Sequence, residues 1–174
     1  NLNSYLKVDA NSNGEIEVSE VLPIVALQIN QANISNLQGI EFFTNLKRLY
    51  VNNNSLNFID PTGINNLEVL NISFNQFTAF NSSGFPNLKI FNCANNAITS
   101  LNLDSSPGLL GLTCDNNQIN NVNFSVLTSL ESFSGYNNQF TSFDFSHCPL
   151  RQIFSYNSVA YSSLLSLGSN PNLS

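Results

Sequence analysis

Residues 88–101 read LKIFNCANNAITSL, and residues 109–122 read LLGLTCDNNQINNV. The two stretches place leucine, a second large apolar residue, cysteine, asparagine and isoleucine at matching positions, 21 residues apart. A fixed period of this length indicates a chain built from repeated units that stack on one another.

The same period organises most of the sequence. Five leucines each begin a full copy of the motif, and an asparagine follows each of them eight residues later. The leucines are Leu46, Leu67, Leu88, Leu109 and Leu130, and the asparagines are Asn54, Asn75, Asn96, Asn117 and Asn138. An incomplete copy begins near Ile24 with Ala32 in the asparagine position, and a late copy begins at Leu150 with Ser158 in that position.

The motif, L-x-x-[LF]-x-h-x-x-N-x-h-x-x-h with h apolar or small, resembles the signature of the leucine-rich repeat family. The resemblance implies an α/β repeat solenoid, a right-handed superhelix with a concave parallel β-sheet. A 21-residue unit leaves too little chain for a helix on the return, so we expect an extended or 3₁₀ convex side. Prolines at 61, 86, 107 and 149 fall in the return and favour the same conclusion. The runs YNNQFTSFDFS and CDNNQINNVNFS most resemble secreted or surface repeat proteins of Bacteroidetes-type bacteria.

The repeat boundaries divide the chain into three parts. Residues 1–25 are expected to form an N-terminal cap, residues 26–158 the repeats of about 21 residues, and residues 159–174 a C-terminal cap or tail. Caps are needed because the terminal repeats of a solenoid would otherwise expose an apolar face.

Asparagine occupies 32 of the 174 positions. The chain must bend sharply after each strand, which leaves buried backbone groups without a partner in the sheet. An amide side chain carries both donors and an acceptor that satisfy such groups. The sequence therefore predicts a structural ladder at Asn54, Asn75, Asn96, Asn117 and Asn138.

Residues 9–20 read DANSNGEIEVSE and match the EF-hand calcium pattern, with Gly14 at the sharp turn. Hard oxygen ligands at alternating positions suit Ca²⁺. The expected ligands are the side chains of Asp9, Asn11, Asn13, Glu17 and Glu20 and the carbonyl oxygen of Glu15. The alternative is a loop in which Asp and Asn serve turn chemistry alone. A single loop followed closely by Pro23 favours a structural Ca²⁺ that clips the first repeat over a paired sensor.

Only 9% of the residues are charged, and the formal net charge is −6. A base-poor, acidic surface cannot neutralise many phosphates, which excludes nucleic acid and anionic membranes as partners. Lys47, Glu68 and Lys89 recur in one column and predict an exposed ladder of alternating charge.

No motif in the sequence predicts catalysis or membrane insertion. The one histidine, His147, stands in a turn, and Cys93, Cys114 and Cys148 fall in apolar positions of the repeat, where a thiol acts as a small core side chain. The longest apolar stretch, residues 21–29, is too short to cross a bilayer. We expect no enzyme activity and no membrane insertion.

Side chains that alternate with the inward strand positions should line the concave face, which the resemblance implies is the ligand-binding surface. Its first half combines amides with an apolar patch of Val69, Ile90 and Phe74, and its last half clusters aromatic residues. The candidate ligand-binding residues are Tyr50, Asn52, Asn71, Phe74, Asn92, Asp115, Tyr136, Phe154 and Tyr156. Exposed aromatics of this kind suit a protein hot spot or a sugar ring, or would be covered by a further repeat.

These observations predict a non-enzymatic recognition or adhesion module, extracellular or on the cell surface, that binds a protein or peptide as a monomer. The alternative is a glycan-binding module that uses the C-terminal aromatic cluster of Tyr136, Phe154 and Tyr156.

Overall fold

The computed structural model describes residues 9–154 and 165–166, and the side chains of residues 9–151. This part of the chain forms one helix of four residues, α1 (Val18–Val21), and short strands. The strands are β1 (Ala26–Gln28), β2 (Arg48–Tyr50), β3 (Val69–Asn71), β4 (Ala79–Asn81), β5 (Ile90–Asn92), β6 (Ser100–Asn102), β7 (Gly111–Thr113), β8 (Ser132–Ser134), β9 (Phe143–Asp144), β10 (Gln152–Phe154) and β11 (Leu165–Ser166).

Seven of these strands form one parallel sheet in the order β1-β2-β3-β5-β7-β8-β10. Each strand pairs with the strand of the next repeat without any shift in register, so that Leu49, Leu70, Phe91, Leu112 and Phe133 are aligned. Residues at equivalent positions of the motif therefore stack in columns along the solenoid. The predicted repeat solenoid with a parallel sheet is confirmed.

The return segments contain no long helix in the described residues. They hold 3₁₀ turns at Ile40–Phe42, Ser82–Gly84 and Phe124–Val126, and short strands that pair in parallel, β4 with β6 and β9 with β11. The expected extended or 3₁₀ convex side is confirmed. The physical reason is length, because 21 residues must supply a strand, two bends and the return.

One continuous apolar core runs between the sheet and the returns. The leucines that begin each copy of the motif and the inward strand residues are almost entirely buried. Toward the C-terminal end the core is aromatic, with Phe124, Phe133 and Phe145 in edge-to-face and tilted contacts at 4.5–5.3 Å between ring centroids. Gly135 makes room for these rings, because a Cβ at this position would lie 2.4 Å from the Phe133 ring.

Candidate binding face and N-terminal loop

The outward positions of the sheet form a face of amides, hydroxyls and a few large side chains. Arg48, Val69 and Ile90 lie side by side in the first outward row, and Tyr50, Asn71 and Asn92 lie side by side in the second. Among the described outward positions of the sheet, only Arg48 and Asp115 are charged. The face is therefore almost neutral although the chain as a whole is acidic.

Phe74 departs from its column on this face. The residues just after the strands adopt a left-handed backbone in every described repeat, with φ of 57° at Gln31, 58° at Asn53, 54° at Phe74, 57° at Asn95, 53° at Asn116 and 52° at Asn137. Asparagine tolerates this conformation, whereas a bulky side chain in it is an outlier. The Phe74 side chain is also 53% exposed. Phe74 therefore combines a strained backbone with a half-exposed aromatic ring that is not part of the buried core.

Two aliphatic residues lie on the same face in the first outward row, five positions before Phe74 in the case of Val69. Val69 precedes it in the same repeat and is the register partner of Ile90 in β5, which is 44% exposed. Tyr50 lies in β2, on the other side of β3, as the register partner of Asn71. We call Tyr50, Val69, Phe74 and Ile90 the apolar patch.

The C-terminal half of the face is built around a carboxylate. Asp115 accepts a hydrogen bond from the Ser134 hydroxyl, whose oxygen lies 2.7 and 2.9 Å from the two carboxylate oxygens, and one from the backbone N–H of Tyr136 at 2.6 Å. Tyr136 is 44% exposed beside it. Phe154 lies in β10, but its side chain and the whole of Tyr156 lie outside the described residues. The proposed aromatic cluster is thus described only at Tyr136.

The five asparagines of the motif, here called the inner column, bond to backbone groups of two repeats. In a typical case the Asn96 oxygen accepts a bond from the Phe77 N–H at 3.0 Å, while its Nδ2 donates to Ile72 O at 3.1 Å and Cys93 O at 3.0 Å. The same pattern recurs in the neighbouring repeats at Asn75 and Asn117. Each amide therefore ties its own strand end to the preceding repeat.

Further asparagine columns were missed by the sequence analysis. On the convex side Asp60, Asn81, Asn102 and Asp144 recur at the same period, and each accepts a hydrogen bond from the backbone N–H two residues later. Asn45, Asn66 and Asn87 form another column that donates to backbone carbonyls about 22 residues earlier. The 21-residue spacing and the exchange of Asp with Asn were the signals that could have revealed the first of these.

Hydrogen bonds cross-link the N-terminal loop. The Asp9 carboxylate accepts bonds from the backbone N–H groups of Asn13 and Gly14, at 3.2 and 3.1 Å. The Glu20 carboxylate accepts bonds from Ala10 and Asn11, at 2.7 and 3.1 Å. Gly14 supplies the sharp turn with φ of 89°. The two ends of the loop are thus held together.

Glu17 and Glu20 complete the loop. Glu17 accepts bonds from the side-chain amides of Asn11 at 3.2 Å and Asn13 at 2.6 Å. Hydrogen bonding with Glu17, and from the backbone N–H groups of Asn11 and Ala10, lowers the pKa of Glu20. Within the described residues no group of three or more His, Cys, Asp or Glu side chains is arranged to hold a metal. An ion here would therefore depend on amide and carbonyl oxygens as well as on carboxylates.

The loop is joined directly to the core. Val21 follows Glu20 and is 2% exposed, and Ile24, which is 4% exposed, packs in the continuous core. Asn45, which immediately precedes the first full repeat, donates a bond to Leu22 O at 2.9 Å. The position of Glu20 is therefore coupled to the first repeat through one buried neighbour.

The column of Lys47, Glu68 and Lys89 forms the expected charge ladder at the edge of the sheet. The Glu68 carboxylate lies 3.2 Å from the Lys47 nitrogen and 2.8 Å from the Lys89 nitrogen. Hydrogen bonding from Lys89 and Lys47, together with their charge, lowers the pKa of Glu68. Two cations thus share one anion.

The cysteines are buried thiols. Burial raises the pKa of Cys93 and Cys114 well above the ordinary range, and burial with the charge of Asp144 raises that of Cys148 to about 11. His147 contacts the neighbouring Ser146 hydroxyl at 3.0 Å, at an exposed turn. A protonated, inaccessible thiol is not a nucleophile. In the part of the chain that the structure describes, no helix is long and apolar enough to span a membrane.

No family model matches the chain, and no curated protein matches it. Among solved structures it is similar to the functional domain of InlJ from Listeria monocytogenes, which includes a cysteine ladder. The TM-score is 0.78 with 22% identity, over 91% of this chain and 35% of that one. It is also similar to the leucine-rich repeat domain of APL1B, with a TM-score of 0.59 and 17% identity, over 76% of this chain and 46% of that one. The chain therefore spans about a third to a half of the structures it matches. With the parallel sheet and its in-register columns, this similarity establishes that the chain has the leucine-rich repeat fold.

Proposed function

We propose that the chain is a non-enzymatic extracellular recognition or adhesion module that binds a protein or peptide through its concave face. The observation that carries the proposal is Phe74, a half-exposed aromatic residue on a left-handed backbone. Strained residues of this kind persist when function requires them. Asparagine would fit the backbone better, so a phenylalanine here is best explained by a ligand that contacts it.

The surroundings of Phe74 support a polypeptide ligand. Asn71 and Asn92 lie in the second outward row, after Val69 and Ile90, and their side chains accept bonds from the backbone N–H of Ser73 and Ala94. Aromatic, aliphatic and amide side chains on one face have the composition of a protein hot spot. The extracellular location rests on the likeness of the repeats to secreted bacterial proteins, and labelling of intact source cells with an antibody would test it.

The binding proposal is tested with Phe74→Asn. A pull-down from cell-surface extracts, followed by titration of each captured protein, should show binding to the parent protein and a loss of at least tenfold in the variant. Phe58→Asn is the matched control, because Phe58 is a 68% exposed phenylalanine outside the concave face. Ligands that bind both variants as tightly as the parent would contradict the proposal.

We further propose that residues 9–20 hold a structural Ca²⁺. The donor types suit a hard cation, since Asp9, Glu17 and Glu20 carry carboxylates and Asn11 and Asn13 carry amide oxygens, with the carbonyl of Glu15. The structure does not gather the three carboxylates into one group, so binding would draw them together around the ion and fix Glu20, which precedes the buried Val21. A weak extracellular site with a Kd of about 10⁻⁴–10⁻³ M is expected.

Calcium should therefore raise the melting temperature. At ten times its Kd, Ca²⁺ adds about 1.4 kcal/mol to the free energy of unfolding. Melts in millimolar CaCl₂ and in chelator would measure this, with Glu20→Gln as the variant expected to lose the shift and Glu41→Gln as a control outside the loop. Equal melting temperatures of the parent protein in CaCl₂ and in chelator would refute the calcium site.

Glycan binding is the second candidate. It is supported by the half-exposed Tyr136 beside the Asp115 carboxylate, since sugars stack on aromatic rings and bond to carboxylates and amides. A glycan array would show a ligand lost in Tyr136→Ala and retained in Phe74→Asn. The opposite sensitivity would assign the ligand to the apolar patch.

A further inference from the structure

The few basic residues of this acidic chain are concentrated beside the apolar patch. The sequence holds five lysines and arginines against eleven aspartates and glutamates. Three of the five, Lys47, Arg48 and Lys89, lie at the edge of the sheet across three successive repeats. Lys7 lies outside the described residues, and Arg151 lies near the opposite end of the sheet. The described basic residues are therefore concentrated at the edge of the N-terminal half of the sheet, with Arg48 as the one that stands on the face itself.

Pairing within this group leaves positive charge uncompensated. Lys47 and Lys89 share the single carboxylate of Glu68, and their side chains remain 55% and 52% exposed. Arg48 is exposed, and its guanidinium has no ion-pair or hydrogen-bond partner among the residues that the structure describes. The C-terminal half differs, because the carboxylate of Asp115 is bonded to Ser134 and Tyr136. One end of the face thus offers a guanidinium with open donors, while the anion at the other end is internally satisfied.

Arg48 adjoins the apolar patch directly. It is the register partner of Val69, which is in turn the partner of Ile90, and Tyr50 lies two residues along the same strand. A guanidinium binds carboxylates through a planar fork of donors, and such charge-assisted bonds are strong where apolar neighbours exclude water. A polyanion is disfavoured, because the net charge of −6 repels it as a whole.

We infer that this half of the face binds a peptide segment in which an acidic side chain stands next to an apolar or aromatic one. The carboxylate pairs with Arg48, and the apolar side chain covers the apolar patch. The inference rests on the proposed protein-binding function and narrows its ligand to one chemical class.

A displayed library of random twelve-residue peptides, selected on the whole chain, tests this. We expect the enriched peptides to combine Asp or Glu with an aromatic or aliphatic residue. Their affinity should fall about tenfold or more in Arg48→Ala and remain unchanged in Arg151→Ala, an exposed arginine outside the patch. Raising the NaCl concentration from 50 to 500 mM should weaken binding to the parent protein more than binding to Arg48→Ala.

The outcomes distinguish a wrong peptide class from the absence of protein binding by the concave face. Peptides that lack an acidic bias, or that ignore Arg48→Ala yet are lost in Phe74→Asn, would overturn the inference and leave the concave binding site standing. A selection without enrichment, or peptides insensitive to both Phe74→Asn and Tyr50→Ala, would overturn both.

Discussion

Two asparagine columns run side by side along the solenoid, one residue apart in sequence, for different physical reasons. The inner column, which includes Asn96, places its amides against backbone groups of two repeats. The outer column, which includes Asn95, holds a left-handed backbone and bonds its amides to one another, with Asn116 donating to Asn95 at 3.0 Å. The inner position selects asparagine for its donors and acceptor, and the outer position selects it for its backbone. Gln31 and Phe74 adopt the same left-handed backbone in the outer column, at a cost in strain.

The largest effect is expected in the inner column. Asn96→Ala removes the acceptor of the Phe77 N–H, while the carbonyls of Ile72 and Cys93 keep Asn75 and Asn117 as donors. One unpaired backbone N–H should lower the free energy of unfolding by about 1–3 kcal/mol. Chemical denaturation would measure the loss. Stability equal to that of the parent protein would show that the inner-column amides do not stabilise the fold.

The outer column should respond to backbone freedom. Asn95→Ala places an alanine in the left-handed region at a cost of about 1 kcal/mol, whereas Asn95→Gly should be more stable than Asn95→Ala, because both lose the bond from Asn116 but glycine adopts this conformation freely. The same exchange at Asn96 should not rescue stability, since glycine supplies no hydrogen bonds. Rescue at Asn96, or its failure at Asn95, would erase the distinction between the columns.

Phe74→Asn should have a smaller effect on stability. Relief of the left-handed strain returns about 1–2 kcal/mol, while loss of the buried half of the ring costs about half of the 1.5–3 kcal/mol for full burial. We expect an unfolding free energy within about 1 kcal/mol of the parent value. Truncation of core phenylalanines costs about 3–5 kcal/mol in the free energy of unfolding. A loss of that size would show that Phe74 serves packing and not binding.

The smallest effect is expected for Glu68→Gln in the charge ladder. Unlike the amides of the asparagine columns, the Glu68 carboxylate titrates, so its effect on stability depends on pH. The pKa of Glu68 is lowered in the folded chain by Lys89 and Lys47, so its contribution to stability is present at neutral pH. It is lost as the pH falls below the ordinary value of 4.5 and through the folded pKa. The stability difference between the parent and Glu68→Gln should therefore be small at pH 7 and vanish in acid. A difference that grows on acidification would reverse the assigned sign.

Much of the fold follows from the 21-residue period. Because every unit has the same length, alignment of one motif position between two repeats aligns all the other positions as well. Once Leu70 and Phe91 are aligned, so are Val69 and Ile90 on the opposite face. The period does not state which local conformation each column adopts. The left-handed backbone at Asn53 and the turns at Asn81 were missed for this reason, since asparagine suits several conformations.

The candidate site was less accessible to sequence reasoning. Phe74 stood out as a break in a column of asparagines, but its exposure depends on how neighbouring repeats pack. The bonds from Ser134 to Asp115 span 19 residues and become visible only when the repeats are stacked. The calcium ligands and the concave residues remain predictions, which the experiments above address.

The inner column also has a consequence for how such chains change length. The side-chain amides of Asn54, Asn75, Asn96 and Asn117 bond to their own repeat and to the preceding one, as Asn96 does to Cys93 and Ile72. Duplication or loss of one whole 21-residue unit would therefore leave every interior bond with an equivalent partner. Insertion of a single residue would misalign these bonds with their partners in the same and the preceding repeat. Evolution can thus lengthen or shorten the concave face in whole-repeat steps without redesign of the core.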